Sequence, residues 1–273
     1  MTWDPEIDDP ATRPRPPIAS DGEVVTVPAS DEPVDFGLRD GPPDLLAPID
    51  PDAPVSGHRP PPASARPASE APENDWTSAS SLVIPVLRPA GTSGVSVDAL
   101  DAQALAAEGL KSHRQPIVAD GPADLVVAFV LPSDGFDVLV NADHLLTWGV
   151  DADAVATAAL ANLAAWSSTA EWSAEEDEQG RRIVSSASGD GWDASRILLS
   201  EARADLIARL SGGRVLVGLP DRDLLVAARL PADDSDFGQL FATFVADQAD
   251  GAEDAIDRRV FELVDDALVP FAG

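Results

Sequence analysis

The chain has 273 residues, enough for one or two domains, and its 48 acidic against 18 basic residues give a formal charge of −30. That charge repels the phosphates of nucleic acid and the anionic face of a membrane, so the sequence excludes both as partners. Cysteine is absent, which removes disulfides, thiolate catalysis, iron–sulfur clusters and cysteine-held zinc together.

The first stretch, residues 1–79, differs in kind from the rest of the chain. Prolines cluster at Pro14-Arg15-Pro16-Pro17 and Arg59-Pro60-Pro61-Pro62. Each removes a backbone donor and biases the residue before it away from helix. Large apolar residues are too few to offset the ordering entropy. The stretch reads as a disordered spacer, with short ordered pieces at Glu23–Val27 and Asp44–Leu46. Docking of its Pro-rich patches in a polyproline II groove is the lesser reading. The opening residues Met1-Thr2-Trp3-Asp4-Pro5-Glu6 have neither the basic nor the apolar part of a secretory leader. No run approaches the roughly 18 apolar residues of a membrane span. The sequence therefore indicates a cytoplasmic protein.

From residue 80 the pattern is that of one α+β domain, 80–273. Leu82–Leu87 reads as a short strand placed at an edge by Pro85. Val97–Leu110 reads as a helix or structured loop. Asp124–Leu131 is a near-continuous apolar run, as for a strand buried on both faces, and turns through Pro132–Gly135 into Phe136–Val140. A short helix over Asp143–Trp148 stops at Gly149. A longer one follows Asp151 as N-cap, with Val155, Ala159, Leu163 and Trp166 in one stripe.

Glu171–Gly180 reads as an acidic loop. Arg182–Val184 then leads to Gly189-Asp190-Gly191-Trp192-Asp193-Ala194-Ser195-Arg196. A helix capped by Ser200 presents Ala202, Leu206 and Leu210 inward and ends at Gly212-Gly213. Arg214–Gly218 and Leu224–Ala228 form a hairpin, with Pro220-Asp221 suited to the centre of a type I turn. The last helix begins near Ser235 and carries Phe237, Leu240, Phe241, Phe244 and Val245 on one face. Arg259–Val264 closes the chain as a final or edge strand. Strand pairs followed by helices predict a mainly antiparallel sheet with helices on one side; the strand–helix–strand rhythm of a dinucleotide-binding fold is missing.

The order and spacing of Asp124–Leu131, Ala159–Leu163, Gly189–Arg196 with Ile197-Leu198-Leu199, Leu219–Leu224 and Asp257–Phe261 resemble the YtpQ-like family of uncharacterised bacterial proteins. The resemblance covers about residues 80–273. It departs at the Pro-rich start and at the acidic insert Glu171–Gly180. It implies a cytoplasmic α+β domain, and it assigns neither an activity nor catalytic residues.

Candidate binding residues are Asp190, Trp192, Asp193, Ser195, Arg196, Arg222 and Asp223. Asp190 and Asp193 have the chemistry of an acid–base pair or of ligands to a hard cation, Ser195 that of a nucleophile, and Arg196 that of a carboxylate or phosphate clamp. The spacing of a calcium loop is missing, as is the Gly-x-Ser-x-Gly elbow, and no His stands near in sequence. The structural reading has the glycines shaping a turn, Asp193 capping a helix and Arg196 pairing with an acid; it is preferred. Arg222 reads as a locally neutralised turn residue, and His144 as a packing residue beside Trp148. Arg196 and Arg222 both stand near glycine-permissive turns of an acidic chain, which keeps a binding site open if the two turns meet. His58, His113 and His144 show no metal-ligand spacing. The expectation is an interaction domain for a protein or peptide, chaperone-like in outline, with no cofactor and no metal. The alternative is a small hydrolase or metal-dependent enzyme built on Gly189–Arg196.

Overall fold

The computed structural model describes residues 71–273 except 112, 134, 135, 211, 212, 233 and 273. The Pro-rich stretch up to residue 70, with the pieces expected at Glu23–Val27 and Asp44–Leu46, lies outside the described residues. Residues 71–79, assigned by composition to that stretch, form a turn and helix α1 (Trp76–Ala79). Asp75 caps α1 by accepting from Thr77 and Ser78 N–H. The Trp76 ring lies 5.4 Å from that of Trp148, and the Trp148 indole N–H donates to the Pro72 carbonyl at 2.8 Å. Two long-range aromatic contacts thus order a segment that local composition marks as weak.

The fold is α+β, with two mainly antiparallel sheets. The first contains β1 (Ile84–Arg88), β2 (Val95–Ser96), β3 (Ile117–Asp120), β4 (Val126–Pro132) and β5 (Asp137–Leu139), in the order β1-β4-β3-β2 with β5 beside β4. Pro85 sits on edge strand β1, as its missing donor requires. β4 is central and buried on both faces. Val127, Phe129 and Leu131 join one cluster; Ala128 and Val130 join another that includes Leu163 and Trp192. A 3-10 turn (Val97–Ala99) and helix α2 (Ala102–Glu108) connect β2 to β3. Helices α3 (Ala142–Trp148) and α4 (Ala152–Ser167) follow β5, capped by Asn141 and Asp151. Val155, Ala159 and Leu163 of α4 are fully buried, about 1.5–3 kcal/mol of transfer free energy for a side chain the size of Val155 or Leu163. The Asn162 amide donates to both Ser80 and Val83 carbonyls at 2.9 Å and ties α4 to the start of β1.

The second sheet has the order β11-β10-β8-β9-β7-β6, from β6 (Ser173–Glu176), β7 (Arg182–Ser186), β8 (Arg214–Asp221), β9 (Leu224–Leu230), β10 (Val260–Val264) and β11 (Ala267–Pro270). Both sheets use one device: the second strand of a hairpin (β4, β9) takes the earlier strand (β1, β7) as its other neighbour. Helix α6 (Ser235–Gly251) covers one face through Phe237, Phe241, Phe244 and Val245. Gly218 permits that approach, since a Cβ there would collide with a Val245 methyl. Leu206 and Leu210, in and just after α5 (Ser200–Arg209), join Val215 and Val217 in the cluster that holds the side chains of the other face. Helices therefore serve both faces of this sheet, where the sequence suggested one.

Several local expectations change. The acidic insert contains strand β6, because pairing with β7 supplies an order that its exposed residues cannot. Ser200 opens α5 without capping it; Leu199 holds the cap position with no side-chain bond. Leu240 of α6 is 41% exposed, one step off the buried stripe. Pro220 and Asp221 extend β8, and the hairpin turns at Arg222-Asp223. The Pro220 and Leu219 carbonyls accept from Ile256 and Asp257 N–H, which holds this stretch extended. Arg259–Val264 contributes β10, an inner strand, because β11 lies beyond it.

Candidate functional site

The motif Gly189–Arg196 follows β7 and runs into a 3-10 turn, Ala194–Leu198. Arg196 is 1% exposed and reaches two carboxylates: Nη1 meets Asp193 Oδ1 at 2.5 Å, and Nη2 meets Asp190 Oδ2. Asp193 is itself fully buried. Its carboxylate also accepts from Ser186 Oγ at 2.6 Å and from the Ser188 N–H at 2.8 Å. Burial pushes the Asp193 carboxyl above the usual range, against the pull of the Arg196 guanidinium and of its serine donors. Asp190 accepts the Trp192 N–H at 2.9 Å. Asp193 stands at the start of the 3-10 turn without a side-chain capping bond, so the expected cap is replaced by this network.

Ser195 Oγ accepts from the Leu87 N–H of β1 at 3.1 Å, a bond between the two halves of the fold. Ser195 is buried, and among the described residues no histidine is bonded to it. A nucleophile needs a base within hydrogen-bond reach and an open face; this hydroxyl has an acceptor's structural task. The carboxylates of Asp190 and Asp193 are likewise engaged by Arg196 and by local donors. Among the described residues no group of three His, Asp or Glu side chains is arranged to hold a metal ion.

Arg222 comes to the same corner from the β8–β9 hairpin. Its guanidinium lies over the Trp192 ring, 5.8 Å from the centroid, and Nη1 stands 3.1 Å from Asp137 and 3.5 Å from Asp254. Gly191, at φ +85°, leaves the room: a Cβ there would stand 2.5 Å from Arg222 Nη2. The Arg222 carbonyl accepts the Ala194 N–H at 3.0 Å, so hairpin tip and motif are laced together. The two arginine-bearing turns thus meet in space. Asp190 binds one arginine and, through the Trp192 N–H, the residue on which the other rests. Each cation is nonetheless matched by its own acids.

Asp223 completes the corner. Its N–H donates to Asp221, and its Oδ1 is buried without a hydrogen bond among the described residues although nearly half of the side chain meets solvent. Burial raises this carboxyl to about 6; Arg222 opposes the shift, and Asp221, Asp193 and Asp190 add to it. Trp192 Nε1, Arg196 Nε and Arg222 Nε are also buried without a hydrogen bond among the described residues.

His144 has a structural task too. It sits at the third position of α3, where its Nδ1 accepts the Asn141 N–H while Asn141 Oδ1 accepts the His144 N–H. Burial holds its pKa below the usual value. His113 is bound to Asp143, 2.6 Å from Nδ1 to Oδ1. His58 lies outside the described residues.

The concave feature that the sequence did not suggest is a groove of about 470 Å³ in the first half of the fold. One wall is Val97, Leu100 and Leu105, from the 3-10 turn and α2; the other is Leu145, Leu146 and Val150, from α3 and its junction with α4. All but Leu145 are partly exposed. Asp151 and Asp153 stand on the lining, and Asp98 and Asp101 are exposed on the elements of the opposite wall. The signal available in the sequence was weak: Val97, Leu100 and Leu105 are apolar, but α2 is too short to declare a stripe. Comparison with protein-family models, with curated proteins and with solved structures gives no match.

Proposed function

We propose that this chain is a non-catalytic interaction module that holds a protein or peptide segment in the groove between α2 and α3. The observation that carries the reading is the groove itself. It is an open apolar cleft of ligand-site size whose leucines and valines, Leu145 excepted, remain partly exposed after folding. The Gly189–Arg196 motif supports the same reading, because its carboxylates, its serine and the two guanidinium Nη atoms are engaged inside the fold, although Trp192 Nε1 and Arg196 Nε make no hydrogen bond among the described residues. The Asp190 and Asp193 carboxylates, the Ser195 hydroxyl and the Arg196 Nη atoms are spent on one another, on Ser186 and Ser188 and on the backbone. A hydrolase or metal enzyme on that motif would need some of those groups open to substrate. We also propose that the chain belongs to the YtpQ-like family, on the order of the motifs it shares, and that it works in the cytoplasm; among the described residues no helix is long and apolar enough to cross a membrane.

The test is selection of peptides from a displayed random library against the full chain, followed by binding to the Leu146→Lys variant. Selected peptides that lose affinity for that variant, while its melting temperature is kept, support the reading. Failure to select any peptide, or equal binding to both proteins, overturns it.

A further inference from the structure

We infer that the groove is specific for an apolar segment flanked by arginine or lysine; this rests on the interaction-module reading and names the chemistry of the partner. The walls take a few aliphatic side chains, and the charged residues on the lining, Asp151 and Asp153, are acidic. Asp98 and Asp153 have no side-chain hydrogen bond or ion pair among the described residues. Asp101 and Asp151 cap α2 and α4 through one carboxylate oxygen each, leaving the second oxygen available. The 3-10 turn, α2, α3 and α4 carry no lysine or arginine, and Lys111, past the far end of α2, is 3.8 Å from Glu108. Two carboxylates on the lining of an apolar cleft, and two more exposed on the elements of its opposite wall, attract a basic partner and repel an acidic one in a chain of charge −30.

A competing occupant is the chain itself. The Pro72 carbonyl is held by Trp148, whose neighbours Leu145, Leu146 and Gly149 line the groove. In sequence, residues 53–69 contain Arg59 and Arg66 and no acid. The experiment has to separate the two.

Fluorescence anisotropy on the full chain, with three labelled decapeptides, does so. The first has leucines between paired arginines, the second has glutamates for the arginines, and the third has serines for the leucines. The arginine–leucine peptide is expected to bind about tenfold tighter than the glutamate peptide, an advantage that fades as salt rises from about 0.05 to about 0.5 M. Leu146→Lys abolishes binding of both leucine peptides. Asp98→Asn with Asp153→Asn removes the preference for arginine and keeps the melting temperature. Equal affinity of the arginine and glutamate peptides overturns the charge specificity; if Leu146→Lys still abolishes binding, the interaction-module reading survives. Equal binding of the serine peptide, or no binding of any peptide to either the parent or the Arg59→Glu, Arg66→Glu variant, overturns both. Binding that emerges only in the Arg59→Glu, Arg66→Glu variant overturns the external partner in favour of the chain's own segment.

Discussion

Ser195 Oγ accepts the Leu87 backbone N–H at 3.1 Å, so a residue of the glycine-rich motif satisfies an outward donor of the edge strand of the other sheet. An edge strand needs its outward donors satisfied or hidden, and Leu87 is 1% exposed. Ser195→Ala leaves that donor buried without an acceptor, and the expected loss is about 1–3 kcal/mol. Urea unfolding measures it: the midpoint drops with an unchanged slope. An unchanged midpoint would remove the structural role assigned to this hydroxyl.

Arg196 presents a larger effect because it lies between two acids. Removing the cation in Arg196→Leu strands the buried Asp193 beside Asp190, and breaking such a pair costs about 3–5 kcal/mol. Arg196→Lys is expected to recover only part of it, since one ammonium cannot reproduce two guanidinium nitrogens aimed at two carboxylates. Denaturant melts of the two variants against the parent check the order. A lysine variant as stable as the parent would contradict the geometry.

The motif was legible as a special place because Gly189 and Gly191 flank an acid and precede Trp192 and Arg196. Sequence distance also allowed a local ion pair between Arg196 and an acid. Ser186, Ser188 and Leu87 were not legible as partners, since β7 and β1 are brought there by sheet pairing and core packing. Strands such as β4 and helix α4 could be read because their burial repeats within a few residues. β6, β11 and the groove could not. The first two are ordered by neighbouring strands, and the third arises where two short elements with weak patterns are set side by side.

His144 makes the fold sensitive to mild acid. Its Nδ1 must be unprotonated to accept the Asn141 N–H, and burial lowers its pKa from the ordinary 6.5, with Glu73 and Asp143 pulling weakly the other way. A base depressed in the folded state contributes stability that is present above its unfolded value and is lost as pH falls through the folded one. His144→Gln keeps an acceptor at the same position without titrating. The parent is therefore expected to lose melting temperature relative to this variant between about pH 7 and pH 5. A difference that does not change with pH would rule out the mechanism.

Asp223 acts in the opposite sense. Its carboxyl is raised from 3.8 to about 6, by burial first and then by Asp221, Asp193 and Asp190, so the charged form is disfavoured in the folded chain. The stability this group contributes is complete below 3.8 and is lost as pH rises through about 6. Asp223→Asn fixes the neutral state. The pull of Arg222, whose Nε is 3.9 Å from Asp223 Oδ1, is already contained in the raised value. With nearly half of the side chain in solvent, screening reduces the gain to on the order of 1 kcal/mol. The variant is thus expected to melt above the parent at pH 7, and the gap is expected to close near pH 4. A carbon-detected titration of the Asp223 carboxyl in the parent should show its midpoint near 6. A midpoint in the ordinary aspartate range, with no pH-dependent gap in melting, would mean that the acids around Arg222 and Arg196 are more fully compensated than their geometry indicates.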